Sequence, residues 1–307
     1  MSVSSASLDV LKKLVSFPTV SDQPNSDLIE YALEYSNTHA VLVHREHDPI
    51  HDKSSILLRY GPEKPGGILL SGHTDVVPVN SKEWASDPFR VSIRDGKAYG
   101  RGTTDMKGFL ALALAAGNTY SSLQRPVFLA LTYDEEVGCL SAPPLIQATI
   151  DQLNSLEAVI VGEPSMLRPA AANKSIAEFI TEFSGAAAHS SKPHLGVNAV
   201  EIAAEYIMQL KNIITNINSA GTAIPGGDAN KADPPWTTSQ VGTIRGGSAT
   251  NIVPDRCRIS YDLRSFLNSD RELFKQKIEG ARQNLIKKYK LEDTAITTSQ
   301  ACDVPPL

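Results

Sequence analysis

PVFLALTYDEEVG, residues 126–138, runs from an unbroken apolar stretch straight into three consecutive acids, Asp134, Glu135 and Glu136. Val127, Phe128, Leu129, Ala130 and Leu131 read as a strand buried on both faces, the pattern of a parallel sheet rather than of a half-solvated one. The acids then fall at the carboxyl end of that strand, where open α/β sheets hold their ligands. A solvated loop would tolerate the same cluster at little cost, so spacing alone leaves both readings open.

Outward from this strand the texture is consistent. ILLSG (68–72) and EAVIVG (157–162) are further apolar strands, and MKGFLALALAAGNTY (106–120) is a helix between them. The alternation predicts an α/β domain with a mostly parallel sheet over residues 1–174. The first residues, MSVSSASLDVLKKLVSFPTVS, form an amphipathic helix with Leu8, Leu11, Leu14 and Val15 on one face. Past Pro169 the pattern changes. IAEFITEFSG alternates as an antiparallel strand does, GVNAVEIAAEYIMQLKNII is a long helix, TTSQVGTI and RCRISYDLRS are strands, and SDRELFKQKIEGARQNLIKKYK is a charged helix. This order predicts a smaller, ferredoxin-like α+β domain over 175–289, with 290–307 turning back toward the first domain. AIPGGDANKADPP (223–235) reads as a long loop.

Bulk properties narrow the function. A net charge of -5 over 307 residues leaves no basic field, which argues against nucleic acid or an anionic membrane as partner. No apolar run approaches the length of a membrane span, and the N-terminus lacks the apolar core of a signal peptide. Cys139, Cys257 and Cys302 are too scattered for a disulfide framework or a zinc knuckle, so a reduced, cytoplasmic protein acting on a small molecule is expected.

Four stretches place metal-type ligands after strands or tight turns: SGHTDVVPV with His73 and Asp75, YGRGTTDMKG with Asp105, the DEE cluster, and IVGEPS with Glu163. Each alone has a bland reading: a structural histidine, an N-cap aspartate, a solvated loop, a strand end turned by proline. Together they would pile up desolvated charge unless a cation holds it. One imidazole among carboxylates, with no thiolate, suits zinc, manganese or cobalt at an open catalytic site. Such a site can hold two ions that share a carboxylate, and its chemistry is hydrolysis.

In this order and spacing, SGHTDVVPV, GRGTTDMKG, LTYDEEVG and VGEPS resemble the di-zinc aminoacylase and carboxypeptidase family, and the likeness continues through AAAHSSKPHLGVNAVE and VGTIRGGSATNIVPDRCRISYDLR. The resemblance implies that His73 and Glu163 bind one metal, that Asp105 bridges and that Glu136 binds the second. It makes Glu135 the general base and Asp75 the carboxylate that orients His73. It implies a cis peptide between Asp105 and Met106. It makes the smaller domain a lid and dimerisation domain, in which His189 stabilises the oxyanion of a neighbouring subunit and Asn251 and Arg264 contact the substrate α-carboxylate. The implied activity is zinc-dependent (or cobalt-dependent) removal of an acyl group from an N-acyl amino acid by a homodimer. N2-acetylornithine, an arginine-biosynthesis intermediate, is the first candidate; another N-acyl amino acid or a dipeptide is the rival, and an inactive binding paralogue is a third reading. Two departures stand out: Asn173, Lys174 and Ser175 replace the family's His-Lys-Gly, and the expected C-terminal ligand histidine has no counterpart after His194. One metal held firmly and a second weakly is the expectation for the chain as given.

Overall fold

The apolar strands of the first part of the chain assemble into one mixed sheet. The computed structural model describes residues 5–119, 122–170, 172–219 and 233–306, which fall into two units, Met1–Arg168 and Pro169–Leu307. In the first unit, β1 (Ala40–Asp48), β2 (Lys53–Tyr60), β3 (Ile68–His73), β6 (Val127–Thr132) and β7 (Ala158–Val161) form a five-stranded sheet in the order β1-β2-β6-β3-β7. A short ribbon, β4 (Ser92–Arg94) with β5 (Lys97–Tyr99), lies outside it. The helices are α1 (Ser5–Val15), α2 (Ser26–Ser36), α3 (Lys107–Gly117) and α4 (Ala142–Leu153).

Strand β6 shows why its sequence lacks alternation. Leu129 and Leu131 pack with Leu14, Ile29, Leu110 and Leu114 of the helices on one face, while Phe128 and Ala130 pack with Leu57, Leu69 and Leu145 on the other. Each large side chain so buried stabilises by about 1.5–3 kcal/mol. Around it β3 and β7 run parallel, whereas β1 and β2 join antiparallel as a hairpin. AVLVHREHD of β1 is half polar and mostly half-buried, so it carries no buried-strand signal. In α1 the buried face centres on Val10 and Leu14, with Leu8 and Leu11 at its margin. Strand β7 is one edge of this sheet, with Val159, Ile160 and Val161 exposed.

The second unit is built from β8 (Ile176–Ser184), α5 (Ala199–Ser219), β9 (Thr238–Gly246), β10 (Arg256–Arg264), α6 (Asn268–Tyr289) and β11 (Ile296–Val304). Its four-stranded sheet has the order β11-β8-β10-β9, every pair antiparallel. Phe179, Phe183, Ile259 and Tyr261 point to the face that α5 and α6 cover with Ile202, Tyr206, Phe274 and Ile278. Here the expectation for 290–307 is corrected. ITTSQACDV is β11 of the second unit's own sheet, paired along β8 with Ile296 fully buried. The physical reason is that β11 satisfies the backbone groups of β8 that would otherwise form an open edge and buries Ile296 in the helix-covered core, which completes the strand-helix-strand-strand-helix-strand unit. Most of the loop expected over 223–235 lies outside the described residues. Among the described residues no helix is long and apolar enough to cross a membrane.

Candidate metal centre

Three strand ends of the first unit bring the ligands together. His73 closes β3 and lies beside Thr132, the last residue of β6, so the DEE stretch begins two residues after their pairing ends. Beyond β7, the Gly162 amide donates to the Ser71 carbonyl, and a Cβ at this glycine would stand 2.0 Å from the Phe109 ring. Only glycine allows the chain to pass α3 that closely and deliver Glu163. Asp105 precedes α3, and its peptide bond to Met106 is cis, as the resemblance implied.

The side chains converge on the His73 imidazole, which is 2 % exposed. Its Nε2 lies 3.0 Å from Asp105 Oδ1, 3.8 Å from Glu163 Oε1 and 4.0 Å from Glu135 Oε2. Two ligand groups meet there, His73–Asp105–Glu163 and His73–Glu135–Glu136. On the other side of the ring, Nδ1 lies 3.0 Å from the Asp75 carbonyl and 3.4 Å from its Oδ1. A proton on Nδ1 satisfies these acceptors and leaves the Nε2 lone pair facing the carboxylates, the tautomer a metal ligand needs.

Asp75 does more than orient the ring. Its Oδ1 accepts the Glu135 amide at 3.2 Å, its Oδ2 accepts the Glu136 amide at 3.3 Å, and the Ser21 hydroxyl donates to Oδ2 at 2.8 Å. One buried carboxylate therefore holds both the histidine and the backbone of the acidic loop. Asp134, the first of the three acids, turns elsewhere: its φ of 58° reverses the chain, and Lys53 Nζ lies 2.6 Å from its Oδ1. The Cys139 thiol donates to Glu135 Oε1 at 3.6 Å.

The electrostatics describe a site made for a cation. Burial would lower the His73 pKa, but the Asp75 hydrogen bond and charge, with Glu135 and Glu163, outweigh it and raise it to about 9. Burial, and then the neighbouring charge of Asp105, raises Glu136; burial also leads in raising Glu163, with Asp105, Glu135 and Glu136 adding to it. Asp75 is held below its ordinary value although burial opposes this, because His73 and Ser21 donate to it. Crowded carboxylates that raise one another, around an imidazole turned toward them, fit a divalent cation as the missing positive charge. A cavity of about 760 Å³, lined by Trp84, Tyr99, Arg101 and Thr104, opens beside Asp105 and Glu136. A small substrate fits within it.

The second unit carries the other three candidates. The Ser191 amide donates to His189 Nδ1 at 3.2 Å, so the neutral ring carries its proton on Nε2, a free donor on an exposed side chain. His189 pairs with Ile252, and the Ser190 amide donates to the Asn251 carbonyl, so His189 and Asn251 are neighbours. Arg264 is not with them. It closes β10, whose eight residue steps from Arg256 span about 26 Å, whereas Asn251 lies in the chain before the other end of that strand; the Arg264 Nε lies 3.2 Å from Asp262 Oδ2. Strand β10 thus stands between Asn251 and Arg264 within one unit.

Ser21 and Lys53 escaped the sequence reading because neither lies in an acidic or histidine motif. Their partners Asp75 and Asp134 lie 54 and 81 residues away.

Comparison with known proteins follows the same residues. The family model of peptidase family M20/M25/M40 matches residues 69–276. The chain is 33% identical over 282 residues to an acetylornithine deacetylase of Myxococcus xanthus, covering 90% of this chain and 71% of that protein. It is 33% identical over 276 residues to an acetylornithine deacetylase of Pasteurella multocida, covering 85% and 68%. The fold matches an M20 family metallo-carboxypeptidase of Sulfolobus solfataricus with a TM-score of 0.72 at 18% identity, over 99% of this chain and 79% of the other.

Proposed function

Because the chain belongs to the M20/M25/M40 peptidase family, we propose that it is a metal-dependent amidohydrolase that removes the acetyl group from an N-acetyl amino acid, with N2-acetylornithine as its substrate. The observation that carries this is the convergence of His73, Asp105, Glu135, Glu136 and Glu163 on one open point, backed by Asp75. The relatives bearing the acetylornithine deacetylase name support the substrate. His73, Asp105 and Glu163 would hold one divalent ion, and Asp105 and Glu136 would offer ligands to a second. Bound zinc or cobalt would polarise the amide carbonyl and make water acidic enough to attack near neutral pH.

The remaining roles belong to the chain. Glu135 takes a proton from the attacking water and returns it to the leaving amine, as a carboxylate within reach of the cluster can. Asp75 fixes the His73 tautomer and the direction of the Glu135 and Glu136 backbone. His189 donates from Nε2 to the oxyanion. Asn251 and Arg264 grip the substrate carboxylate from two different chains of a homodimer, a reading supported by the length of β10 that lies between them in one chain. The guanidinium can give such a carboxylate two hydrogen bonds.

The test is release of ornithine from N2-acetylornithine by the purified chain with added zinc or cobalt, against N-acetyl amino acids with acidic and apolar side chains and against dipeptides. Preferential cleavage of a dipeptide would replace the deacetylase reading, and metal uptake without any hydrolysis would replace the enzyme reading with a binding role.

A further inference from the structure

We propose that Lys53 is a positioning residue of the metal centre: it withdraws the first carboxylate of the DEE loop, Asp134, from the cluster and thereby sets the direction of the other two. The inference rests on the metal-dependent reading above and extends it to a residue that touches neither metal nor substrate.

Lys53 is the first residue of β2, and its side chain is only 6 % exposed, beside an Asp134 side chain that is 14 % exposed. An ammonium is rarely so enclosed unless it is fully partnered. Its partners here are Asp134 Oδ1 at 2.6 Å and the Ser21 carbonyl, with the Tyr133 ring centroid 5.7 Å away. The same Ser21 donates its hydroxyl to Asp75 Oδ2, and Asp75 in turn receives the amides of Glu135 and Glu136. The links form a closed circuit. It starts at the acidic loop, passes through Lys53 and Ser21 to the carboxylate that orients His73, and returns to the acidic loop. Removing the ammonium breaks it at two points. It also leaves Asp134 as an unpaired, mostly buried carboxylate next to groups whose charges already repel one another. Asp134 would then compete for the cation or push Glu135 and Glu136 out of place.

The experiment compares Lys53→Met, Lys53→Arg, Asp134→Asn and the Lys53→Met/Asp134→Asn double variant in the full chain. Zinc affinity is read by competition with a chromogenic chelator, folding by melting of the metal-free protein, and kcat and KM on N2-acetylornithine. K53M should lose about 10–100-fold in zinc affinity, as supporting partners of metal ligands do, with kcat reduced and KM unchanged. K53R should recover most of the loss, and D134N should lose less than K53M because its amide oxygen still accepts from Lys53. The double variant should be no worse than K53M, since both changes act on one contact. A folded K53M that binds zinc and turns over like the parent overturns the proposal, and so do losses that simply add in the double variant. If K53M fails to fold, D134N decides, and zinc affinity equal to the parent overturns the inference. Chelator and melting data need no substrate, so a parent chain inactive on N2-acetylornithine would count against the proposed reaction and leave the Lys53 result standing.

Discussion

Replacing Asp75 by Asn swaps a carboxylate for an amide of the same shape and tests whether one group joins the histidine to the acidic loop. The carboxylate receives Ser21 Oγ at 2.8 Å, the amides of Glu135 and Glu136 at 3.2 and 3.3 Å, and His73 Nδ1 at 3.4 Å. An Asn side chain keeps one oxygen and turns an NH2 group toward the remaining donors, so at least two of the four lose their acceptor. Three of the contacts are long, so the low end of the range for hydrogen bonds to a charged group applies, about 1.5 kcal/mol each and about 3 kcal/mol in all. For a unit of this size that corresponds to a fall in melting temperature of roughly 6–12 °C. Zinc affinity should fall about 10–100-fold as His73 loses the partner that fixes its tautomer. Calorimetry of the metal-free chain and chelator competition measure the two effects. Ser21→Ala, which removes one donor and leaves the charge, should show a small part of both. An Asp75→Asn protein that melts with the parent and keeps its zinc would refute the idea that this carboxylate organises the centre.

Glu135→Gln should lower kcat by about two to four orders of magnitude with bound zinc unchanged, whereas Glu136→Gln should weaken zinc retention; atomic absorption after dialysis separates them. Gly162→Ala forces a Cβ to 2.0 Å from the Phe109 ring and should cost about 1–3 kcal/mol, read by denaturant unfolding. Ile296→Ala should destabilise the second unit by about 2–5 kcal/mol, an effect absent if β11 did not belong to that sheet. His73 titrates near 6.5 when unfolded and about 9 when folded without metal. The resulting stability, on the order of 3 kcal/mol, is fully present below pH 6.5 and lost as pH rises through 9. Zinc competes with that proton, so its affinity should climb over the same window; chelator competition at pH 6.5 and 9 checks the sign.

The central strands and the acids that follow them were legible because a strand buried on both faces has a compositional signature, and because charge at its carboxyl end has few cheap explanations. The hairpin of β1 and β2 was not, since HREHD reads as surface. Nor was the allegiance of ITTSQACDV: its Thr and Ser residues suit an edge strand anywhere, and only the unfilled side of β8 decides where it goes. Asp134 looked like its two neighbours in the sequence. What distinguishes it is a lysine 81 residues away, a contact that local periodicity cannot report. The closeness of His189 and Asn251 was not legible, because it arises from the pairing of two distant loops, and the separation of Asn251 from Arg264 by β10 appears only when strand length is counted in ångströms rather than residues.

The pairing of Val304 with Ile176 in the second sheet has an engineering meaning. The first and last strands of this unit, β8 and β11, are neighbours, so its two ends lie a single strand spacing apart. A unit of that kind can be spliced into a host protein at a tight surface turn without stretching either partner. It can equally be circularly permuted by joining 304 to 176 and reopening the chain in the turn after α6, around Glu292, where the backbone between helix and strand is exposed. Such a rewired unit should keep its sheet order.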